Sequence, residues 1–531
     1  MSARMILATA CLLGAIPGVL QSAERKNKLT YPTTKRVDHV DNYHGTKVVD
    51  PYRWLEDTNS EQTKSWVKAQ NKVTFAYLDQ IPQRKKLEKR LTELWNYERY
   101  GLPVKRGKHY FYTHNNGLQN QSVLYVTDGV RGKPRVLLDP NTLSKDGTVA
   151  LASWVPSEDG SRMAIALASA GSDWREWKVL NVADGKLMSD HIKWSKFSGA
   201  SWTPDNKGFF YSRYDEPEEG EKFTGSNYYQ KLYYHRLGES QSKDDLVYER
   251  KDEKEWGFDG HVTEDGHYLI ITVWRGTEEK YQIFYKDLKS PGAEVVELIN
   301  GFDAEYQFIG NEGETFWLMT DREAPLRRVI AINTKKPARE NWKEVIPQGK
   351  HVLRGVNIVG NRFFASYLQD ARTAIKVFEL SGKHQTDVAL PAIGSASGFG
   401  GKREDQETFF SFTNYTTPSR IYRYDIAKGT SDVFRKPEIR FDPEDYVTKQ
   451  VFFKSKDGTR VPMFITHKRG VEPNGKNPTL LYGYGGFNIS LTPGFQVANL
   501  VWMEMGGVYA VPNLRGGGEY GRNWHEAGML D

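Results

Sequence analysis

A tyrosine between glycines near the carboxyl-terminal end of the sequence is the feature best suited to chemistry. Residues 482–487 read Tyr-Gly-Tyr-Gly-Gly-Phe, so that Tyr484 has a glycine on each side. Glycines let a backbone come close to a substrate, and a tyrosine hydroxyl is a strong single donor that can face a developing oxyanion. Tyr484 is therefore a candidate oxyanion donor for acyl transfer. The spacing alone fits equally well a packed tyrosine in a tight strand-to-helix turn.

An acyl-transfer hydrolase built on an α/β sheet also needs a nucleophile, an acid and a base, in the chain order Ser, Asp, His. No Gly-x-Ser-x-Gly motif occurs in the 531 residues. The segment that comes nearest, Gly394 to Gly398, has Ala396 at its centre. We therefore expect the printed chain to stop before its catalytic triad and to be inactive as it stands.

The elements around Tyr484 are predicted to form the start of an α/β sheet. Residues 447–453 and 461–467 flank an Asp-Gly turn and indicate a hairpin. Residues 479–482 indicate a buried strand, residues 495–504 a helix and residues 507–512 a further strand. Strands that alternate with helices are typical of an α/β sheet.

The long region before this sheet repeats itself. Turns rich in Asp, Gly or Asn precede runs of aromatic and β-branched residues at intervals of 46 to 60 residues. A period near 50 residues with about four short strands predicts the blades of a β-propeller. An array of β-sandwiches with accidental spacing is the alternative, and seven concordant units argue against it. The unit starts are Gly107, Ser157, Thr203, Thr263, Gly310, Gly360 and Glu407.

Composition excludes several classes of function. The net charge of +6 comes from 73 basic and 67 acidic residues of interspersed sign, which gives no basic face for nucleic acid. The histidines are scattered without metal-ligand spacing. We expect no cofactor, no metal site and no nucleic-acid partner.

The amino-terminal residues have the pattern of a secretory signal peptide. Arg4 precedes an apolar run from Met5 to Leu20, and small or polar residues follow up to Ala23. Cys11, the single cysteine, lies within this run, so that cleavage near Ala23 would leave a chain without thiols or disulfides. We expect a secreted or periplasmic protein that is not attached to a membrane after cleavage and is a monomer.

Four segments of the chain resemble the prolyl oligopeptidase family, whose members are serine peptidases with a seven-bladed propeller set into an α/β-hydrolase domain. The resemblance runs from about Tyr31 to Asp531. Its segments, in chain order, are DPYRWLED from Asp50, QKLYYH from Gln230, LYGYGGFNIS from Leu481 and NLRGGGEYG from Asn513.

The resemblance implies a domain organisation. Residues 1–23 would be the signal peptide, 24–80 an amino-terminal segment of the hydrolase domain, 81–435 the seven-bladed propeller, and 436–531 the start of an α/β-hydrolase domain that is truncated after its first strands. The nucleophile, acid and base would follow Asp531.

The resemblance also implies a function, which is cleavage of short peptides on the carboxyl side of proline, with the propeller excluding folded proteins. Tyr484 would donate to the oxyanion, and Phe487 would line the apolar pocket for the substrate proline. Family members often place a substrate-contacting arginine where Gln282 stands, so that this contact is in doubt.

Two other functions remain open from the sequence. The chain could be a non-catalytic protein whose propeller binds peptides. The hydrolase could instead act at basic sites or on N-blocked peptides, a choice that the residues of the missing pocket would decide.

Overall fold

The computed structural model describes residues 29–218, 221–222, 225–472 and 474–529. The predicted signal peptide, with Cys11, lies outside these residues. The chain divides into two compact units, one up to Lys89 and the other from Arg90 onward.

The first unit consists of a short hairpin followed by helices. Ser60 caps the first long helix, because its hydroxyl accepts a hydrogen bond from the Thr63 backbone N–H at 3.2 Å. Trp66 on that helix donates its indole N–H to the Thr34 hydroxyl at 3.0 Å. The elements are β1 (Val40–Tyr43), β2 (Thr46–Val49), a 3₁₀ turn (Arg53–Glu56), α1 (Glu61–Leu78) and α2 (Arg84–Trp95), the last of which runs on into the second unit.

Seven antiparallel sheets follow one another in the second unit, each formed by a continuous stretch of chain. The first is β3 (Arg99–Tyr100), β4 (Val104–Arg106), β5 (His109–Asn115), β6 (Val123–Asp128) and β7 (Arg135–Leu138). The second is β8 (Val149–Pro156), β9 (Arg162–Ser169), β10 (Arg175–Asn181) and β11 (Leu187–Ser195). The third is β12 (Ala200–Trp202), β13 (Gly208–Arg213), β14 (Lys231–Arg236) and β15 (Asp245–Tyr248). The fourth is β16 (Trp256–Val262), β17 (Tyr268–Arg275), β18 (Gln282–Asp287) and β19 (Val296–Ile299).

The remaining three sheets have the same four-stranded plan. The fifth is β20 (Tyr306–Glu312), β21 (Thr315–Thr320), β22 (Arg328–Asn333) and β23 (Lys343–Ile346). The sixth is β24 (Val352–Val359), β25 (Arg362–Gln369), β26 (Arg372–Glu379) and β27 (His384–Val388). The seventh is β28 (Ser395–Gly400), β29 (Glu407–Thr413), β30 (Arg420–Asp425) and β31 (Thr430–Arg435). Short 3₁₀ turns lie at Pro140–Thr142, Gln241–Lys243, Arg339–Asn341 and Pro443–Asp445.

The seven sheets close into a ring. A central cavity of about 460 Å³ is lined by β4, β8, β12, β16, β20, β24 and β28, one inner strand from every sheet. The last sheet packs on the first, because Tyr110 of β5 lies in one apolar cluster with Phe409 and Ile421. The Tyr110 hydroxyl also donates to Glu407 Oε1 at 2.7 Å. The predicted seven-bladed propeller is confirmed.

The sheet after the propeller is the start of an α/β domain, as predicted. Its strand order is β32-β33-β35-β34, with β34 parallel to β35 and the other neighbours antiparallel. The elements are β32 (Tyr446–Lys454), β33 (Arg460–Lys468), β34 (Thr479–Leu481), α3 (Val497–Glu504), β35 (Val508–Pro512) and α4 (Arg522–Glu526).

One expectation about this sheet is wrong. Residues 479–482 were expected to form a buried strand, yet Leu481 of β34 is 64% exposed. β34 pairs on one side with β35 and ends the sheet within the described residues, so that its apolar side chains have no second neighbour. Across the described residues, no helix combines the length and apolar character needed to cross a membrane.

Candidate active site

The Tyr484 loop begins where β34 ends. The Tyr482 backbone N–H still donates to the Ala510 carbonyl at 2.9 Å, which extends the pairing with β35 by one bond. Gly485 then adopts φ +67°. A Cβ atom at Gly485 would lie 2.8 Å from the Leu514 Cβ, so that only glycine fits this backbone path.

Tyr484 and Phe487 project from the loop onto one open surface. Their ring centroids lie 6.5 Å apart. Tyr484 is 48% exposed and Phe487 is 80% exposed. Both rings are therefore open to solvent among the described residues.

The glycine-rich loop 513–518 packs against the loop that contains Tyr484. The Asn488 backbone N–H donates to the Gly516 carbonyl at 3.0 Å. His525 Nδ1 lies 2.8 Å from the same carbonyl and 3.1 Å from the Asn488 backbone nitrogen. A side chain at Gly518 would collide with Asn488 Oδ1, so that the glycines are needed for the two loops to touch.

The propeller contacts this loop directly. The Asn488 side-chain amide donates to Glu279 Oε2, between β17 and β18, at 2.7 Å. Ser490 accepts a hydrogen bond from Arg354 of β24 at 3.2 Å. Arg522 at the start of α4 pairs with Asp321 at 2.9 Å.

Within the described residues, the two serines of the segment that most resembles a nucleophile motif have no catalytic partner. Ser395 and Ser397 lie in β28 of the propeller. The Ser395 hydroxyl donates to the Pro493 carbonyl at 2.7 Å, and Ser397 shares a hydrogen bond with Ser411 at 2.9 Å. Ser397 thus bonds within the seventh blade, and Ser395 joins that blade to the segment before α3.

Gln282, at the position where the family resemblance implies a substrate-contacting arginine, is only 1% exposed in β18. Its Oε1 is buried and has no hydrogen-bond partner among the described residues. The residues described contain no cluster of three or more His, Cys, Asp or Glu side chains placed to bind a metal.

Several residues that hold the loop containing Tyr484 were not predicted from the sequence. Glu519, Asn513, His525 and Glu279 all contact residues 488–491. Glu519 and Asn513 stand in the NLRGGGEYG segment, whose density of glycines was the available signal. Glu279 is 209 residues from Asn488 along the chain, and no local pattern indicates such a contact.

The propeller and the sheet that follows it match two models of one known protein family. Residues 31–437 match the family model described as "Prolyl oligopeptidase, N-terminal beta-propeller domain", and residues 493–531 match "Prolyl oligopeptidase family". The chain belongs to the prolyl oligopeptidase family. Members of this family are serine peptidases, and they are hydrolases.

Curated relatives carry the same family's names. A prolyl endopeptidase of Elizabethkingia meningoseptica is 44% identical over 507 residues, which cover 96% of this chain and 71% of the relative. A prolyl endopeptidase of Dictyostelium discoideum is 34% identical, over 94% of this chain and 75% of the relative.

Solved structures agree with the fold. One, from a study of two prolyl endopeptidases and their inter-domain dynamics, has a TM-score of 0.88 at 37% identity and covers 94% of this chain and 74% of its own. Prolyl oligopeptidase B of Galerina marginata, bound to a 35mer hydrolysis and macrocyclization substrate, has a TM-score of 0.87 at 31% identity, with coverage of 94% and 74%.

Proposed function

We propose that this chain supplies the propeller and one oxyanion donor of a serine endopeptidase that cleaves short peptides on the carboxyl side of proline. The observation that carries the proposal is the Tyr484 loop, which presents a half-exposed hydroxyl-bearing ring beside an open phenylalanine. The relatives named prolyl endopeptidase support the proline specificity.

Tyr484 acts by stabilising charge. Attack on a peptide carbonyl places negative charge on its oxygen, and a preorganised O–H donor stabilises that oxygen more in the transition state than in the ground state. The close contacts of Gly485 with Leu514 and of Gly516 with Gly485 hold the backbone that follows this donor. Phe487 offers an apolar face on which a proline ring can pack.

The propeller supplies selectivity by size. Its central cavity of about 460 Å³ is bordered by all seven blades, which leaves room for an extended peptide and none for a folded domain. The Galerina marginata enzyme has been solved with 25mer and 35mer peptides bound, and we infer that short proline-containing peptides are also the partners of this chain.

A polypeptide of these 531 residues is expected to be catalytically inactive. It contains no Gly-x-Ser-x-Gly motif, and without an attacking hydroxyl and a base, an oxyanion donor has no intermediate to stabilise. We further propose a monomer that is exported to the periplasm or secreted, since residues 1–23 have the composition of a signal peptide.

A fusion protein tests the specificity. Residues 24–531 are joined to the part of the Elizabethkingia meningoseptica relative that follows the residue aligned with Asp531. Reporter peptides that differ in one residue, with proline, alanine or lysine before the scissile bond, are then compared by kcat/KM. We expect a strong preference for proline. Equal cleavage after lysine would contradict the proposal, and tight peptide binding by the unfused chain would favour the non-catalytic alternative.

A further inference from the structure

Glu519 is a buried carboxylate that takes no part in the proposed chemistry. It stands at the end of the glycine-rich loop and is 1% exposed. Burial raises its pKa, although hydrogen bonds from Leu491 and Asn513 act in the opposite direction. Burying a carboxylate is costly unless it is hydrogen-bonded. The hydrogen bonds of Glu519 therefore indicate its role.

Those contacts converge on one residue of the Tyr484 loop. Glu519 Oε1 accepts a hydrogen bond from the Leu491 backbone N–H at 2.8 Å. Asn513, which is fully buried, donates its side-chain amide to the Leu491 carbonyl at 2.6 Å and to Glu519 Oε1 at 3.2 Å. Both backbone groups of Leu491 are thus held by a pair of side chains that also hold each other.

The segment immediately before Leu491 is strained. Phe487 and Asn488 are consecutive non-glycine residues with φ of +52° and +53°. Non-glycine residues in this left-handed region are strained and persist only where the surroundings impose the conformation. The turn is closed by a hydrogen bond of 3.1 Å from the Ile489 N–H to the Gly486 carbonyl. An anchor just after the turn therefore decides whether its strained form is kept.

The glycine-rich loop 513–518 packs closely against the residues between Leu491 and the strained turn. A Cβ atom at Gly517 would lie 2.9 Å from the Ile489 carbonyl oxygen. The Asn488 N–H is bonded to Gly516. Residues 488–491 thus lie against loop 513–518 along their whole length. We therefore expect a displacement of Leu491 to displace Phe487 as well.

We propose that Glu519 is a positioning residue, which clamps Leu491 through Oε1 and thereby holds the strained turn that aims Phe487 and Tyr484. That this turn serves catalysis rests on the proposed function. The clamp itself does not, because it is a property of the unliganded 531-residue chain.

Amide hydrogen exchange of the 531-residue chain tests the clamp without any substrate. Glu519→Ala is expected to speed exchange across residues 484–491 by about tenfold or more, the factor that corresponds to losing a hydrogen bond to a charged group. Exchange in β17, a buried propeller strand, should not change. Glu519→Gln keeps an acceptor for the Leu491 N–H and should restore most of the protection.

Two further variants keep the test decisive. Glu526→Ala removes an exposed carboxylate that pairs with Arg522 at 3.2 Å, and it should leave residues 484–491 unchanged. If Glu519→Ala does not fold, Glu519→Asp withdraws the carboxylate from Leu491 and should produce the same local effect in a weaker form.

Three results would overturn the proposal. They are unchanged exchange in residues 484–491 of Glu519→Ala, an equal acceleration in β17, and a Glu519→Gln protein as fast as Glu519→Ala. None of them depends on peptide cleavage, so that failure of the clamp and failure of the peptidase proposal are separate outcomes.

Discussion

Tyr484 combines an open side chain with a fixed backbone. Its ring is half exposed, while Gly485 and Gly516 are locked by contacts too close for any other residue. In the proposed function, a donor on such a fixed backbone needs little reorganisation when charge develops, which favours electrostatic catalysis.

Removal of the Tyr484 hydroxyl should therefore affect turnover more than binding. In the fusion protein, Tyr484→Phe is expected to lower kcat by roughly 10²- to 10³-fold with little change in KM. Tyr482→Phe, two residues earlier and equally exposed, is the matched control and should retain activity. An equal loss in both variants would contradict the assignment of the donor.

His235 is a buried ionisable group of the propeller. Its Nδ1 lies 2.7 Å from Asp244 and its Nε2 lies 3.0 Å from Asp190, and all three side chains are buried. Tyr211 donates to the other oxygen of Asp244 at 2.6 Å. Because ionised carboxylates only accept hydrogen bonds, His235 is held as a cation that joins the second and third blades.

Loss of this buried cation should be costly. His235→Gln leaves two buried carboxylates without their counter-charge, which is expected to lower the free energy of unfolding by roughly 3–5 kcal/mol. His191→Gln removes a histidine that pairs with Glu176 at 2.7 Å on the surface, and it should cost about 1 kcal/mol or less. Urea denaturation measures both, and similar losses would refute the buried cation.

Stability should also fall at alkaline pH. Burial alone would lower the pKa of His235, but its hydrogen bonds with Asp190 and Asp244 outweigh this and raise the pKa to about 9. The unfolded-state value is about 6.5. The stabilisation is therefore complete below about pH 6.5 and is lost as the pH rises through about 9. Unfolding free energies measured across this interval would contradict the account if they stayed constant.

Some elements of the fold follow from local sequence patterns, whereas others depend on contacts between residues far apart in the chain. Turns with Asp-Gly and flanking apolar runs predicted the propeller hairpins. Four of the seven predicted unit starts, for example Thr203 and Gly360, fall in the turn between the first two strands of a blade, and Gly107 falls in the turn between β4 and β5. Gly310 instead lies inside β20, and Glu407 begins β29.

The site was predictable only in part for the same reason. The Gly-Tyr-Gly sequence marked Tyr484, since its neighbours are local. The Glu519 clamp and the Glu279 contact join residues 28 and 209 positions apart, and a single sequence contains no trace of such pairings. The exposure of β34 was mispredicted because its apolar composition is that of a strand with two neighbours.

At high protein concentration, the exposed strand β34 should make this otherwise monomeric chain self-associate. Leu480 and Leu481 stand open on an edge whose backbone groups can template another strand. Leu481→Lys places a charge on this edge and is expected to shift sedimentation toward the monomer at high protein concentration. Val433→Lys, on the exposed outer strand β31 of the propeller, is the control. An equal shift in sedimentation for the two variants would argue against self-association through β34.

At the scale of the whole molecule, the propeller is a closed ring joined to an open sheet. The ring is sealed between its last and first blades by the Tyr110 cluster and by a 2.7 Å ion pair between Lys105 and Asp405. The sheet beyond it presents Tyr484 at its edge. In the proposed function, the propeller is the filter and Tyr484 the oxyanion donor, while the sequence has no Gly-x-Ser-x-Gly nucleophile motif.

Hydrolysis of a proline-containing reporter peptide by the purified 531-residue polypeptide tests this account most directly. We predict no release of product above the uncatalysed rate, while the fusion protein, measured in parallel, cleaves the same peptide after proline. Release by the unfused chain that a serine-reactive inhibitor abolishes would contradict the account, because it would require a nucleophile among these residues.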